Sequence, residues 1–134
     1  MAANLLEYFK RDRFAELIGA ELIEAGKGYA RARLTVRPDH LNAHDVLHGG
    51  LLFALADFTF AAIAAAANDT VALAVQAGIN FMHAVRGGVL TAEARELSRG
   101  RKIGNYQVDI RDETGRVIAV FTGVVYDKGE PLTA

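Results

Sequence analysis

The chain has 134 residues, of which 51% are hydrophobic and 23% charged, a globular balance that excludes a disordered or low-complexity protein. Its 15 basic and 16 acidic side chains give a net charge of −1, so no overall field attracts nucleic acid or an anionic membrane. We therefore expect one domain, residues 1–134, with neither nucleic acid nor a membrane as its partner.

The first third of the chain predicts a helix, a hairpin and a loop. Apolar residues recur every three or four positions from Leu5 to Ile18, as in an amphipathic helix. Segments 20–25 and 29–36 alternate in polarity around Gly26-Lys27-Gly28, which predicts two antiparallel strands. Residues 37–47 contain turn-forming residues and no apolar periodicity, so we expect a loop that leads into the next helix.

A long apolar segment, Leu51 to Ala67, contains a single charged residue, Asp57. Its apolar residues cover every face of a helix, so this helix must be surrounded. A membrane span needs about 20 apolar residues and a mid-helix Asp costs roughly 3 kcal/mol on insertion, which disfavours a membrane as the surroundings. A curved sheet is the favoured alternative.

The rest of the chain supplies strands for that sheet. Apolar or alternating segments at residues 71–82, 89–97, 103–111 and 117–126 predict four strands, and Asp112-Glu113-Thr114-Gly115 predicts a tight turn between the last two. Two strands, one long helix and four strands form an α+β domain with an antiparallel sheet wrapped around a central helix. The free edge of such a sheet favours pairing with a second copy.

Asp57 and the glycines before its helix are the first candidates for chemistry. A carboxylate in an apolar helix is costly unless it is paired, for example with Arg86, or serves as a nucleophile or general base. His48-Gly49-Gly50 precedes the same helix, where free backbone N–H groups can polarise an oxygen. A double glycine alone also marks tight turns, so its significance comes from Asp57 in the same element.

Several other chemistries lack support. Cysteine is absent, and the single serine, Ser98, lies in ELSRGRK and not in a G-x-S-x-G context. His40, His44 and His48 have helical metal-site spacing, but the loop composition around them argues against a helix, so no metal is expected. The N-terminus does not resemble a signal peptide, and we expect a cytoplasmic protein.

A cluster of cations lies where two predicted strands meet. Arg95, Arg99, Arg101 and Lys102 stand within eight residues, beside two glycines. Such a loop can hold phosphate groups even in a neutral protein, or it can be a solvated sheet edge. No phosphate-binding loop motif and no dinucleotide-binding motif occurs.

The segment NAHDVLHGGLLFALAD, Asn42 to Asp57, resembles the signature of hotdog-fold acyl-CoA thioesterases of the PaaI (phenylacetic acid degradation) type. The resemblance extends over about residues 14–127 and includes GINFM at 78–82 with Arg86-Gly87-Gly88. It implies a sheet wrapped around the helix, dimers that join their sheets, and homotetramers built as dimers of dimers. It implies acyl-CoA as the substrate and no cofactor.

Site residues follow from the resemblance position by position. Asp57 would be the catalytic carboxylate, and the amide N–H of Gly49 would polarise the thioester carbonyl, with Gly50 as a second candidate that contacts the substrate. Asn42 and His48 would position the thioester or the attacking water. The basic residues Arg99, Arg101 and Lys102 are similar to regions that contact the phosphates of CoA.

Two positions depart from the family. Phe58 stands where many relatives have Thr, and Ala74 where some have Ser, so no hydroxyl role is carried over. A general base at Asp57 is favoured over a nucleophile. A dehydratase or hydratase, with His48 and the carboxylate paired, and a non-catalytic acyl-CoA sensor stay as alternatives, but the spacing favours hydrolysis. The acyl group stays open between aryl-acyl and medium-chain groups.

The helix geometry predicts an active site shared between two subunits. Gly49 and Asp57 are eight residues apart, which is roughly 12 Å along one helix. A thioester carbonyl must lie about 3 Å from the polarising amide and about 3 to 3.5 Å from the attacking group. Two antiparallel helices across a dimer axis would meet both requirements.

Overall fold

The computed structural model describes residues 4–132, which form one antiparallel sheet of six strands with a long helix against it. The helix, α3, spans Gly49–Asn68, between the second and third strands in the chain. The order across the sheet is β1-β2-β4-β5-β6-β3. The strands are β1 (Glu21–Gly26), β2 (Tyr29–Thr35), β3 (Thr70–Phe81), β4 (Val89–Arg99), β5 (Ile103–Arg111) and β6 (Val117–Pro131). This confirms the expected α+β hotdog fold.

The N-terminal segment, which the sequence predicts to be one continuous helix, forms two helices instead. It is divided into α1 (Leu5–Phe9) and α2 (Arg13–Ile18). Asp12 adopts an extended conformation between them, and its side chain accepts a hydrogen bond from the N–H of Ala15 at 2.9 Å. An aspartate in this position starts a new helix, which apolar periodicity alone does not reveal.

α3 is held by small residues on the concave face of the sheet. Ala30 and Ala32 on β2 and Ala92 on β4 are fully buried beneath the helix and allow its backbone to approach the strands. A Cβ on Gly123 would lie 2.6 Å from the ring of Phe60, so this glycine makes room for the ring. Among residues 4–132, α3 is the one helix long and apolar enough to span a membrane, and it is the buried core helix of the domain.

One stripe of α3 is left uncovered by the chain's own sheet. Gly50, Asp57, Ala61 and Asn68 are exposed and follow helical spacing along a single face. The expectation that the helix is surrounded on every face is therefore wrong for this stripe, because α1 and α2 cover only the region beside it. The candidate carboxylate, Asp57, lies on it, with Gly50 at its N-terminal end.

The edge formed by β3 is also open. β3 pairs with β6 along one side only, and Leu73 and Val75 are 50% and 61% exposed on it.

The turn from Asp112 to Gly115 has the predicted form, with Gly115 at φ +87° and the Asp112 carboxylate accepting hydrogen bonds from Thr114.

Candidate active site

The loop before α3 is folded by its own backbone and by Asn42. Asn42 Oδ1 accepts hydrogen bonds from the N–H groups of His44 at 2.8 Å and Val46 at 3.3 Å, which closes a turn. The N–H of Leu47 then donates to the carbonyl of Val85 at 2.7 Å, which fixes the loop to the connection between β3 and β4. The amide NH₂ of Asn42 is therefore the part of this side chain that is left for a ligand.

His48 is the N-cap of α3. Its Nδ1 accepts a hydrogen bond from the N–H of Gly50 at 2.8 Å, so the proton of the neutral ring belongs on Nε2. A Cβ on Gly50 would lie 2.9 Å from the same nitrogen, which explains the second glycine of the pair. Because His48 uses the Gly50 N–H, Gly50 does not offer a free donor in this chain, contrary to the sequence expectation.

Gly49 provides the free donor at the start of α3. Its N–H has no acceptor within residues 4–132, as is usual for the first residue of a helix. The ring of Phe81, at the end of β3, lies against it, and a Cβ on Gly49 would be 3.0 Å from Phe81 Cζ. A ligand oxygen that approaches this N–H would meet the positive end of the helix dipole.

Asp57 lies two helical turns from Gly49 on the exposed stripe. It takes part in no ion pair or hydrogen bond with another described residue, so the pairing with Arg86 considered from the sequence is not observed. Asp57 lies in a depression that it shares with Asp12. The apolar lining of that depression consists of Phe14, Ala15, Ile18, Phe53, Ala54 and Phe58.

These surroundings change the acidity of Asp57. Burial among apolar groups raises the pKa of the Asp57 carboxyl, and the negative charge of Asp12 raises this pKa further. A carboxylate with a raised pKa accepts a proton more readily than an ordinary aspartate. The position therefore suits a general base.

The three basic residues lie at the opposite end of α3. Arg99 forms an ion pair with Glu96 at 3.0 Å and also reaches Asn68, the last residue of the helix. Lys102 lies over the ring of Tyr126 at 5.6 Å, and Arg101 is exposed. Eleven residues separate Asn68 from Asp57, which is about 16 Å along the helix. The chain does not bring these cations and Asp57 together.

The histidines of the loop do not share a face. His40 is buried in a short 3-10 turn, Pro38–His40, and its Nδ1 accepts a hydrogen bond from the N–H of Arg37 at 2.9 Å. Burial is the larger cause of the lowered pKa of His40, and the nearby positive charge of Arg37 lowers this pKa further. His44 is exposed in the following loop. Within the described part of the chain, no three His, Asp or Glu side chains form a metal-binding group.

Three residues at the site were missed or left without a role by sequence reasoning. Apolar periodicity places Asp12 and Phe14 in one amphipathic helix, and Phe81 enters only with the GINFM segment of the resemblance. The N-cap preference of aspartate is the signal that would have identified Asp12. No sequence signal places the Phe81 ring against Gly49, because that contact depends on how β3 ends beside the helix.

An antiparallel sheet of six strands around one long helix is the hotdog fold. The chain belongs to the Thioesterase superfamily, whose family model matches residues 44–119. It is therefore a thioester hydrolase.

Proteins of the PaaI type are similar to this chain along most of its length. Acyl-coenzyme A thioesterase PaaI of Escherichia coli K12 is 32% identical over 131 residues, covering 97% of this chain and 93% of that protein. The structure of E. coli PaaI has a TM-score of 0.88 at 29% identity, covering 97% and 100% of the two chains. A mutant of the phenylacetic acid degradation protein PaaI from Thermus thermophilus has a TM-score of 0.80 at 32% identity, covering 84% and 96%.

Proposed function

We propose that this protein is an acyl-CoA thioesterase that hydrolyses an aryl-acyl or medium-chain acyl-CoA to the free acid and CoA. The observation that carries the proposal is Asp57, a carboxylate that makes no hydrogen bond or ion pair with another described residue and lies in an apolar depression, two turns along the helix from the free N–H of Gly49. The similarity to PaaI proteins supports an acyl-CoA substrate and a role in phenylacetic acid degradation. A cytoplasmic location and a single domain over residues 1–134 belong to the same proposal.

The depression beside Asp57 suits an apolar acyl group. Phe14, Phe53 and Phe58 present aromatic surface there, and Ile18 contributes an aliphatic wall. Phe14 is 59% exposed in the single chain, so a bound acyl group would remove apolar surface from water. Aromatic walls favour a phenylacetyl or benzoyl group through edge and face contacts.

The proposed reaction uses water and no covalent enzyme intermediate. The N–H of Gly49 donates a hydrogen bond to the thioester oxygen, and the Asp57 carboxylate takes a proton from a water molecule as its oxygen attacks the carbonyl carbon. The C–S bond of the tetrahedral intermediate then breaks, and the proton held by Asp57 passes to the departing CoA thiolate. His48 Nε2 and the Asn42 amide orient the thioester or the water.

The open surfaces of the chain support a homodimer with shared active sites. Pairing of two β3 edges would continue the sheet, and it would cover Leu73 and Val75. The uncovered stripe of one α3 would then lie antiparallel to that of the partner, with Gly49 of one subunit opposite Asp57 of the other. Association of two dimers gives the proposed homotetramer.

The basic loop is proposed to bind the phosphates of CoA. Arg99, Arg101 and Lys102 provide three cations beside the C-terminal end of α3. The extended pantetheine arm of CoA would cross the distance between this loop and Asp57. This assignment concerns binding and not the chemical step.

Release of free CoA from a panel of acyl-CoAs tests the proposal. We expect turnover with aryl-acyl or medium-chain substrates, and a loss of roughly 10²-fold or more in Asp57→Asn, which keeps the shape of the side chain. Asp69→Asn, at the end of the same helix, is the control. Binding without turnover would favour a sensor, and addition of water to an enoyl-CoA would favour a hydratase; either result would overturn the proposal.

A further inference from the structure

The junction between α1 and α2 carries a second carboxylate into the depression that holds Asp57. Phe9, at the end of α1, contacts the ring of Phe58 edge to face with centroids 6.0 Å apart. Ala15 and Ile18 on α2 are buried in the core beside α3. These contacts fix Asp12, which lies between Phe9 and Ala15, against the helix face next to Asp57.

The two carboxylates are held differently. Asp12 Oδ1 accepts a hydrogen bond from the N–H of Ala15 at 2.9 Å. Asp57 receives no hydrogen bond from another described residue. Asp57 therefore faces the charge of Asp12 without a hydrogen-bond donor of its own among the described residues.

Few other charges face Asp57. The strands against α3 present apolar side chains to it, and the one buried ionisable side chain among the described strand residues, Tyr106, contacts Phe60. On the N-terminal helices, Glu7 and Lys10 form an ion pair with each other at 2.9 Å. Glu16 and Arg13 are exposed on α2 and do not line the depression. Among the described residues, Asp12 is thus the charged side chain that lines the depression together with Asp57.

We propose that Asp12 is a positioning residue of the active site, whose negative charge strengthens Asp57 as the acceptor of the proton from the attacking water. The inference rests on the proposed role of Asp57 as general base. The direction of the effect agrees with the raised pKa of Asp57, for which burial is the larger cause and Asp12 the second. The N-cap role of Asp12 and its charge can be separated, because asparagine caps helices as well as aspartate.

The test compares Asp12→Asn with the wild type in the pH dependence of kcat/KM. Removing the charge should move the acid limb to lower pH, by a few tenths of a unit up to about one unit. Asp12→Ala should show the same shift but a lower Tm, because it also loses the cap. Glu16→Gln, which removes one negative charge from an exposed position on α2, should leave the profile in place.

A second measurement separates this inference from the proposed function. Carbon-13 NMR of the Asp57 carboxyl, identified by its loss in Asp57→Asn, reports its pKa without turnover. A lower Asp57 pKa in Asp12→Asn, with the acid limb following, supports the inference. An unchanged pKa or an unmoved acid limb would overturn it while leaving the activity assignment intact. Full hydrolysis by Asp57→Asn would overturn the proposed function itself, whatever Asp12 does.

Discussion

Replacing Gly49 by proline would remove the proposed polarising N–H while leaving the helix able to form. Gly49 is the first residue of α3, where the N–H has no partner in the described part of the chain and proline is favoured. His48 before it is extended, with φ −65° and ψ 134°, a conformation that is compatible with a following proline. The new Cβ would approach the Phe81 ring at 3.0 Å, but that side chain is 56% exposed and can shift.

Gly49→Ala is the matched variant, because it introduces the same Cβ and keeps the N–H. The difference between the two variants therefore reports the N–H alone. Losing one donor to the oxyanion lowers kcat by roughly 10² to 10³. We expect Gly49→Pro to lose that much relative to Gly49→Ala, with circular dichroism and Tm showing that both fold.

Pairing a Gly49→Pro subunit with an Asp57→Asn subunit in one dimer tests whether two subunits share each site. Gly49 and Asp57 are about 12 Å apart along one helix, which is too far for one thioester to contact both. In a heterodimer of Gly49→Pro and Asp57→Asn subunits, one site contains both changes and the other contains neither. Purified by two different affinity tags after co-expression, this heterodimer should have about half the wild-type activity. Activity as low as that of either parent would refute the shared site.

Three further outcomes follow from the site. Neutralising Arg99, Arg101 and Lys102 to Gln should raise KM for acyl-CoA and change KM for a pantetheine thioester much less, with Lys27→Gln as the control. Phe14→Ala should lower kcat/KM for an aryl-acyl-CoA roughly tenfold relative to acetyl-CoA. The pKa of Asp57 is raised in the folded chain. Ionisation of Asp57 therefore lowers the free energy of unfolding as the pH rises above the ordinary aspartate range. Asp57→Asn should therefore have a higher Tm than the wild type near neutral pH, and the difference should vanish in acid.

The sheet and the central helix were predictable because each has a strong local pattern. A 17-residue apolar segment with one charge favours a mostly buried helix, and the strands around it alternate or end at glycine turns. The strand at residues 103–111 was predicted with its observed bounds. The final strand continues to Pro131, beyond the predicted end, because residues 127–131 pair with β3 despite their polar composition. Pairing across the sheet is not visible in local composition.

The candidate site was only partly predictable. Asp57 stood out as a lone charge, and the glycines stood out because they precede its helix. The use of the Gly50 N–H by His48 and the division of the N-terminal helix at Asp12 both depend on single side-chain hydrogen bonds. Periodicity does not encode such bonds, and yet they determine which amide is free and which carboxylate faces Asp57.

The exposed stripe of α3 links the proposed assembly to the proposed chemistry. In the single chain, Gly50, Asp57 and Ala61 face solvent although the rest of the helix is buried. Covering this stripe with a second α3 would remove water from around Asp57, and desolvation acts in the direction that already raises its pKa. The same contact would bring the Gly49 N–H of the other subunit to the thioester. On this proposal an isolated subunit has no donor within reach of a thioester at Asp57 and lacks the full basicity of Asp57, so that association creates the catalyst as well as stabilising the fold.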